Sequence, residues 1–301
     1  MYDICIIGAG PAGLTAAIYA LRAGKSVIVL ETANYGGQII NTSCIENYPA
    51  IESISGFEFA TNLYNQALKL GMNISYDQAQ DIIKNNDGFT VYSNNNSYES
   101  KAVIIASGVK KRKLNVPGED ELIGMGVSYC ATCDGAFYKN KDVAVIGGGN
   151  TALDDAIFLS NYCKKVYLIH RRNEFRGEKN KIELIKAKTN ITMITPANLI
   201  AINGNEKVSS IKYYHNSEEI KELLVDGLFV AIGQEPDTSC FKNLISIDNN
   251  GYIISDEKCT TNIEGIYVAG DCRTKQIRQL TTATADGTIA ALAACNFIEK
   301  V

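Results

Sequence analysis

One segment of the chain occurs twice, and this repeat constrains the fold more than any other feature. Residues 3–14 read DICIIGAGPAGL and residues 142–153 read DVAVIGGGNTAL, and the alignment continues without a gap beyond them. Each copy runs from a short apolar segment through a glycine-rich turn into a helical stretch, and a second apolar segment follows. This order is typical of a βαβ unit with buried parallel strands. The repeat therefore predicts an α/β protein with two doubly wound, three-layer domains.

A second, shorter repeat marks the ends of the two units. Residues 103–108 (VIIASG) resemble residues 228–233 (LFVAIG). The simplest arrangement inserts the second unit into the first, so that the chain crosses between the units twice. We predict a discontinuous first domain at 1–110 and 240–301, with an inserted second domain at 111–239.

Charge, composition and cysteine usage exclude several classes of protein. The 301 residues include 29 Lys and Arg against 33 Asp and Glu, and the net charge of −4 argues against a nucleic-acid-binding protein. A hydrophobic content of 46% argues against disorder. No uncharged apolar run approaches the roughly 18 residues of a membrane span, and the N-terminus lacks the pattern of a secretory signal. The nine cysteines are spread over the chain and predict mostly reduced thiols in a cytoplasmic protein.

The first glycine-rich turn has the spacing of a dinucleotide-binding fingerprint. Gly8, Gly10 and Gly13 follow a predicted strand and open a helix, so that the main chain can approach a pyrophosphate at the positive end of that helix. Glu31 ends the next predicted strand, where a carboxylate can accept a hydrogen bond from a ribose hydroxyl. We interpret the first domain as a site for a dinucleotide with an unphosphorylated ribose. The alternative is a glycine turn that serves only packing.

The second turn is the alanine-ended form of the same fingerprint. It contains Gly147, Gly149 and Ala152, and Asn150 and Thr151 open the following helix. We expect the two glycines and these two polar residues to contact a second dinucleotide.

A cluster of arginines stands where the first repeat has Glu31. Arg171 and Arg172 follow His170 directly, and Arg176 comes shortly after them. Guanidinium groups bind a ribose 2′-phosphate, which a carboxylate would repel. The second domain is therefore predicted to bind NADPH, and the alternative is a solvated basic loop.

A C-x-x-C motif lies just before the second fingerprint. Cys130 and Cys133 have the spacing at which two thiols close a readily reduced ring at the start of a helix. The alternative is half of a zinc site, but the chain has no second such pair, and its two histidines, His170 and His215, are far apart in sequence. Asp134 follows the second thiol as a candidate proton carrier, and its alternative role is to cap the next helix.

Taken in order, these motifs resemble the low-molecular-weight bacterial thioredoxin reductases over essentially the whole chain. The segment CATCD, inside the second domain and just ahead of its fingerprint, is a specific mark of that family. The motifs that carry the resemblance lie at 8–13, 36–38, 46–49, 130–135, 147–152, 170–172 with 176, 269–271 and 278–279.

The resemblance implies two cofactors. FAD would lie on the first domain with Glu31 on its ribose, and NADPH would lie on the second domain with the arginines on its 2′-phosphate. Further residues would surround the flavin and its ribityl chain, namely Gly37, Gln38 and Asn47 together with Asp271, Arg278 and Gln279.

The resemblance also implies the activity, which is reduction of the disulfide of thioredoxin or a thioredoxin-like protein. Electrons would pass from NADPH through FAD to the Cys130–Cys133 disulfide and then to the partner, with Cys133 facing the flavin and Asp134 moving protons. Because the nicotinamide site and the disulfide share one domain but must meet one flavin, that domain is expected to rotate about the double crossing. A homodimer is expected from the resemblance alone.

Other hypotheses remain open. One is an enzyme of the same build with ferredoxin or NADH as donor, or with a peroxiredoxin system as acceptor, although the arginines argue against another donor. Another hypothesis is a non-enzymatic sensor whose dithiol state controls a binding partner. The sequence also departs from the family, because Asp154 and Asp155 stand where two glutamates are usual. A carboxylate contact near the nicotinamide would then be one methylene short.

Overall fold

The computed structural model describes residues 1–42, 44–216 and 219–300. The strands are β1 (Tyr2–Ile7), β2 (Val27–Glu31), β3 (Asn73–Tyr76), β4 (Ala79–Asn85), β5 (Gly88–Ser93), β6 (Ser97–Ile105), β7 (Val109–Lys111), β8 (Val127–Ser128), β9 (Asp142–Ile146), β10 (Lys165–Ile169), β11 (Ile191–Ile194), β12 (Ala197–Gly204), β13 (Val208–His215), β14 (Glu219–Leu224), β15 (Gly227–Val230), β16 (Gln234–Pro236) and β17 (Ile266–Val268). The helices are α1 (Pro11–Arg22), α2 (Gly56–Lys69), α3 (Ala131–Asp134), α4 (Asn150–Leu159), α5 (Lys179–Ala187) and α6 (Leu280–Ile298).

The first compact unit contains residues 1–110 and the chain from Glu235 onward. Its sheet has the order β3-β2-β1-β6 with parallel pairing, β17 adds in parallel to β6, and β5 and β4 extend the sheet in antiparallel fashion. Successive side chains of β1 point to opposite faces, as in any strand. Ile4 and Ile6 therefore join one core with residues of α1 and α6, while Cys5 and Ile7 join a second core on the other face.

The second compact unit contains residues 111–234. Its parallel sheet has the order β11-β10-β9-β15-β8, and a separate antiparallel sheet is formed by β12, β13 and β14. Val143 and Val145 of β9 face the core that contains α4, while Ala144 and Ile146 face the core shared with β12 and β13. The predicted α/β fold with two parallel, doubly wound sheets is confirmed. No helix in the described ranges combines the length and apolar character that a bilayer crossing requires.

The second crossing of the chain lies a few residues earlier than the predicted boundary at 239/240. The units divide between Gln234 and Glu235, and Thr238, which follows this point, is 1% exposed and donates to the Gly251 carbonyl of the first unit. The two crossing strands, β7 and β16, pair with each other as a two-stranded sheet.

A buried ion cluster holds the segment between β17 and α6. The Asp286 carboxylate of α6 accepts hydrogen bonds from both Nε and Nη2 of Arg273 at 2.9 Å, from Nζ of Lys275 at 2.8 Å and from the Gly270 N–H at 3.0 Å. Burial alone would raise the pKa of Asp286, but the hydrogen bonds from these two cations hold it below its usual value. The cluster thus fixes Gly270, Arg273 and Lys275, and Asp271, a predicted FAD contact, lies between the first two of them.

This cluster generates a stability prediction. The Asp286→Asn substitution should lower the free energy of unfolding of the first unit by about 3 kcal/mol, because two buried cations lose their counterion. The loss should appear as a lower urea midpoint for that unit. As a control, Glu183→Gln removes an exposed pair with Lys186 and should change the stability by at most about 0.5 kcal/mol. Equal effects of the two substitutions would contradict this account.

Candidate active site

The two cysteines of the C-x-x-C motif form a disulfide at the start of α3. Cys130 is the residue before the helix, and its carbonyl accepts hydrogen bonds from the N–H groups of Cys133 at 3.2 Å and Asp134 at 3.1 Å. Both cysteines are half-buried, so a second disulfide can approach them. The disulfide engages both sulfurs, and within the described ranges no cluster of side chains could hold a metal ion. The redox interpretation is therefore favoured over a zinc half-site.

The carboxylate beside the disulfide is held by a serine that the sequence analysis missed. Ser128, the last residue of β8, donates through Oγ to Oδ2 of Asp134 at 2.6 Å, and it accepts from the Cys130 N–H at 3.0 Å. Burial raises the pKa of Asp134, and the Ser128 hydrogen bond and the charge of Lys111 oppose that rise. The alternative capping role fails, since the Asp134 side chain makes no cap hydrogen bond to the helical turn that follows.

The first glycine-rich turn is tight on its inner side and open on its outer side. A Cβ atom on Gly8, which has φ +109°, would overlap the Ala106 carbonyl, and one on Gly13 would overlap the Gly8 carbonyl. By contrast, a Cβ atom on Gly10 would meet nothing nearer than the Gly37 Cα at 4.0 Å. Packing therefore requires two of the three glycines, whereas Gly10 leaves open space at the N-terminus of α1, where a pyrophosphate fits.

Glu31 is fixed against the first turn through backbone hydrogen bonds. Its Oε2 accepts from the Ala9 N–H at 2.8 Å, and its Oε1 accepts from the N–H groups of Thr32 at 2.8 Å and Ala33 at 3.2 Å. This holds the carboxylate at the end of β2 beside the space that Gly10 leaves open. This position fits a bound FAD.

Three predicted FAD contacts lie on segments that approach the first turn or α6. Gly37 begins a short 3-10 helix (Gly37–Asn41) and lies against Gly10, and the Gln38 side chain donates to the Val109 carbonyl. The Asn47 amide donates to Oε1 of Gln279 at 3.4 Å.

The other predicted FAD contacts follow β17. The Arg278 guanidinium donates to the carbonyls of Asp271 at 3.2 Å and Arg273 at 3.1 Å, and it lies 4.1 Å from the centre of the Tyr252 ring. Gln279 caps α6. The structure thus gives Arg278 and Gln279 local partners that hold this segment.

The second turn repeats the same asymmetry. A Cβ atom on Gly147 would overlap the Ala231 carbonyl, whereas one on Gly149 would meet nothing within 4 Å. Asn150 accepts from the Glu178 N–H at 2.8 Å and donates to Oε1 of Glu178 at 3.1 Å, so its side chain ties α4 to the segment after the arginines. Thr151 is exposed at the start of α4.

The predicted arginines lie on an exposed loop that is anchored to the second turn. The Arg176 N–H donates to the Gly148 carbonyl at 2.7 Å, while Arg171 and Arg172 follow β10. His170 is 6% exposed and stacks on Phe175. Burial and the neighbouring arginines lower its pKa, so the cationic charge of the loop comes from the guanidinium groups. This hydrogen bond places the arginine loop beside the second turn, as the 2′-phosphate interpretation requires.

The two aspartates that depart from the family pattern differ in environment. Asp154 is exposed and pairs with Lys181 at 2.8 Å. The Asp155 carboxyl is less exposed, and burial together with the charge of Asp154 raises its pKa to about 7. Its surroundings therefore favour the protonated form more than those of the exposed Asp154 do.

Comparisons with known proteins agree with this site. Residues 2–287 match the family model of the pyridine nucleotide-disulphide oxidoreductases. Over 302 residues the chain is 42% identical to the thioredoxin reductase of Treponema pallidum (strain Nichols), with 100% of this chain and 98% of that protein covered. The structure of thioredoxin reductase from Streptococcus pyogenes MGAS5005 matches with a TM-score of 0.97 at 40% identity, over 100% of this chain and 99% of that one. The Lactococcus lactis thioredoxin reductase in its FR conformation matches with a TM-score of 0.69 at 37% identity, over 100% of both chains.

The family match and the relatives span the disulfide motif and both glycine-rich turns. Thioredoxin reductases of this family bind FAD and use NADPH, and the two turns fit these two dinucleotides. The chain therefore belongs to the pyridine nucleotide-disulphide oxidoreductase family, as one of its FAD- and NADPH-dependent thioredoxin reductases.

Proposed function

We propose that this chain passes electrons from NADPH to the disulfide of thioredoxin or a thioredoxin-like protein through Cys130 and Cys133. The observation that carries this proposal is the half-buried disulfide with the half-buried Asp134 carboxyl beside it, in the same unit as the anchored arginine loop. Glu31 and the first turn would hold FAD. Six further residues would surround the flavin and its ribityl chain, namely Gly37, Gln38, Asn47, Asp271, Arg278 and Gln279. The second turn and the arginines would hold NADPH.

The sulfur chemistry follows from the two cysteines and the acid. The bound cofactors supply the electron pair that the disulfide accepts. Cleavage of the S–S bond leaves two thiolates, and Asp134 gives its proton to one of them. The Cys130 thiolate then attacks the partner disulfide and releases one partner thiolate, and Cys133 attacks Cys130 in the mixed disulfide to release the other. Protons delivered through Asp134 and solvent complete the partner dithiol.

Three broader features complete the proposal. The second unit rotates about the paired strands β7 and β16 between the two half-reactions. Two solved relatives of nearly equal identity match this chain with very different TM-scores, which supports more than one domain arrangement among such enzymes.

The protein works in the cytoplasm, which suits its seven free cysteines, and it acts as a homodimer.

Loss of either redox cysteine tests the function directly. Cys130→Ser and Cys133→Ser should each abolish NADPH-dependent reduction of thioredoxin while NADPH still bleaches the flavin absorbance. The half-buried Cys240, which lies outside the motif, provides the control, and Cys240→Ser should leave turnover within about twofold of wild type. A colourless protein, or turnover that survives loss of Cys133, would refute the proposal. Flavin bleaching without any turnover would instead favour the dithiol sensor.

The arginine loop generates a prediction about the electron donor. Arg171→Ala and Arg176→Ala should each raise KM for NADPH by about tenfold or more, because a charge-assisted hydrogen bond contributes on the order of 1.5 kcal/mol. Neither substitution should change kcat/KM for NADH. Arg22→Ala, at the exposed end of α1, is the matched control and should alter neither donor. Equal losses with NADPH and NADH would show that the loop does not read the 2′-phosphate.

The rotation is testable by distance measurement. Dyes attached at exposed positions Tyr19 in the first unit and Leu184 in the second should give two distance populations, and NADPH should change their ratio. A pair at Tyr19 and Tyr92, both in the first unit, should give one constant distance. A single unchanging distance between the units during active turnover would exclude rotation.

A further inference from the structure

We propose that Ser128 is a positioning residue for the acid of this reaction, fixing Oδ2 of Asp134 so that Oδ1 is the oxygen that exchanges its proton. This inference rests on the proposed function, because it concerns the proton that the dithiol gains and loses. The backbone of Ser128 belongs to the parallel sheet of the second unit. Ser128 pairs in register with Phe229 of β15, and its side chain is 6% exposed.

The Ser128 hydroxyl has one proton, and the geometry determines where it goes. Oγ lies 2.6 Å from Oδ2 of Asp134 and 3.4 Å from the Cys130 carbonyl oxygen. The carboxylate oxygen is both the nearer and the stronger acceptor, so the hydroxyl donates to Oδ2 of Asp134. Its lone pairs then accept from the Cys130 N–H at 3.0 Å. One side chain thus connects the backbone of the first redox cysteine to the acid.

Other groups near Asp134 act on it differently. Lys111 of β7 stabilises the carboxylate by its charge, and Tyr138 lies close enough for the Asp134 charge to raise its own pKa. Helix α4, which packs against α3, brings the carboxyls of Asp154 and Asp155. Ser128 donates a short hydrogen bond to the Asp134 side chain. Orientation of the carboxylate therefore depends on this hydroxyl.

Two consequences follow from donation to Oδ2. The carboxylate cannot turn freely about its Cβ–Cγ bond. Oδ2 therefore keeps its hydrogen bond to Ser128, and Oδ1 remains available for proton exchange. Donation also favours the ionised form, which opposes the effect of burial on the pKa. Removal of the hydroxyl should therefore raise the pKa of Asp134 further and leave the acid less well oriented.

The experiment compares Ser128→Ala with Ser128→Thr and with a matched buried serine. Ser160 is 8% exposed and donates to the Ile157 carbonyl at 2.6 Å, so Ser160→Ala removes a buried hydroxyl of the same unit without touching the acid. The oxidised, full-length flavoprotein is labelled with ¹³C-aspartate, and the Asp134 carboxyl is assigned with Asp134→Asn. Its titration is then followed by NMR, and kcat and KM for thioredoxin are measured in parallel.

Ser128→Ala should shift the Asp134 titration upward by about one pH unit and lower kcat about tenfold, with KM for thioredoxin unchanged. Ser128→Thr should restore the titration and most of kcat, and Ser160→Ala should leave both as in wild type. An Asp134 titration in Ser128→Ala that superposes on wild type would overturn the inference, and so would an equal shift in Ser160→Ala. Failure of the wild-type protein to reduce thioredoxin would refute the proposed function instead, and the NMR titration would still test the serine.

Discussion

Both proposed nucleotide sites depend on one constraint on the main chain of the glycine-rich turn. One side of the turn must pack against the sheet, and the opposite side must carry no side chain. At Gly8 and Gly147 a side chain would collide with a carbonyl of a neighbouring strand end, so the turn is held against the sheet. At Gly10 and Gly149 the protein itself gives no reason for glycine, because a Cβ atom there would meet open space. A phosphate can therefore approach the free N–H groups at the start of the helix. This asymmetry distinguishes a binding turn from one that serves only packing.

The charged groups that we propose to discriminate between the two dinucleotides are tied to these turns in the same way. In the first unit the Ala9 N–H donates to the Glu31 carboxylate, and in the second unit the Arg176 N–H donates to the Gly148 carbonyl. Each hydrogen bond holds the segment that carries the proposed ribose-binding group against its glycine-rich turn. A carboxylate so placed favours a free ribose hydroxyl, whereas guanidinium groups favour a phosphorylated one. Two homologous turns can thus hold different cofactors with only a local change of charge.

The features that could be predicted from the sequence are those encoded by local spacing. The two glycine turns, the apolar strands, the arginine cluster and the cysteine pair each occupy a short stretch, and together they indicate both the fold and the cofactors. The missing features join residues that only packing brings together. The position of the second crossing depends on tertiary contacts such as the burial of Thr238, which no local spacing encodes. The Asp286 cluster and the hydrogen bond from Ser128 to Asp134 escaped for the same reason, since no periodicity relates their partners.

Three buried or half-buried carboxylates show how the surroundings divide structural anions from proton carriers. Asp286 meets two cations that outweigh its burial, so its pKa is lowered and it stays charged. Asp134 meets a hydroxyl and the more remote charge of Lys111, which oppose burial without overcoming it, so its pKa is raised. Asp155 is buried beside another carboxylate, and its pKa reaches about 7. Cations in contact with the carboxylate therefore decide whether its pKa ends below or above the usual value. The acid beside the disulfide needs a partner that orients it without a full positive charge, because a second close cation would keep it ionised and unable to give a proton to a thiolate.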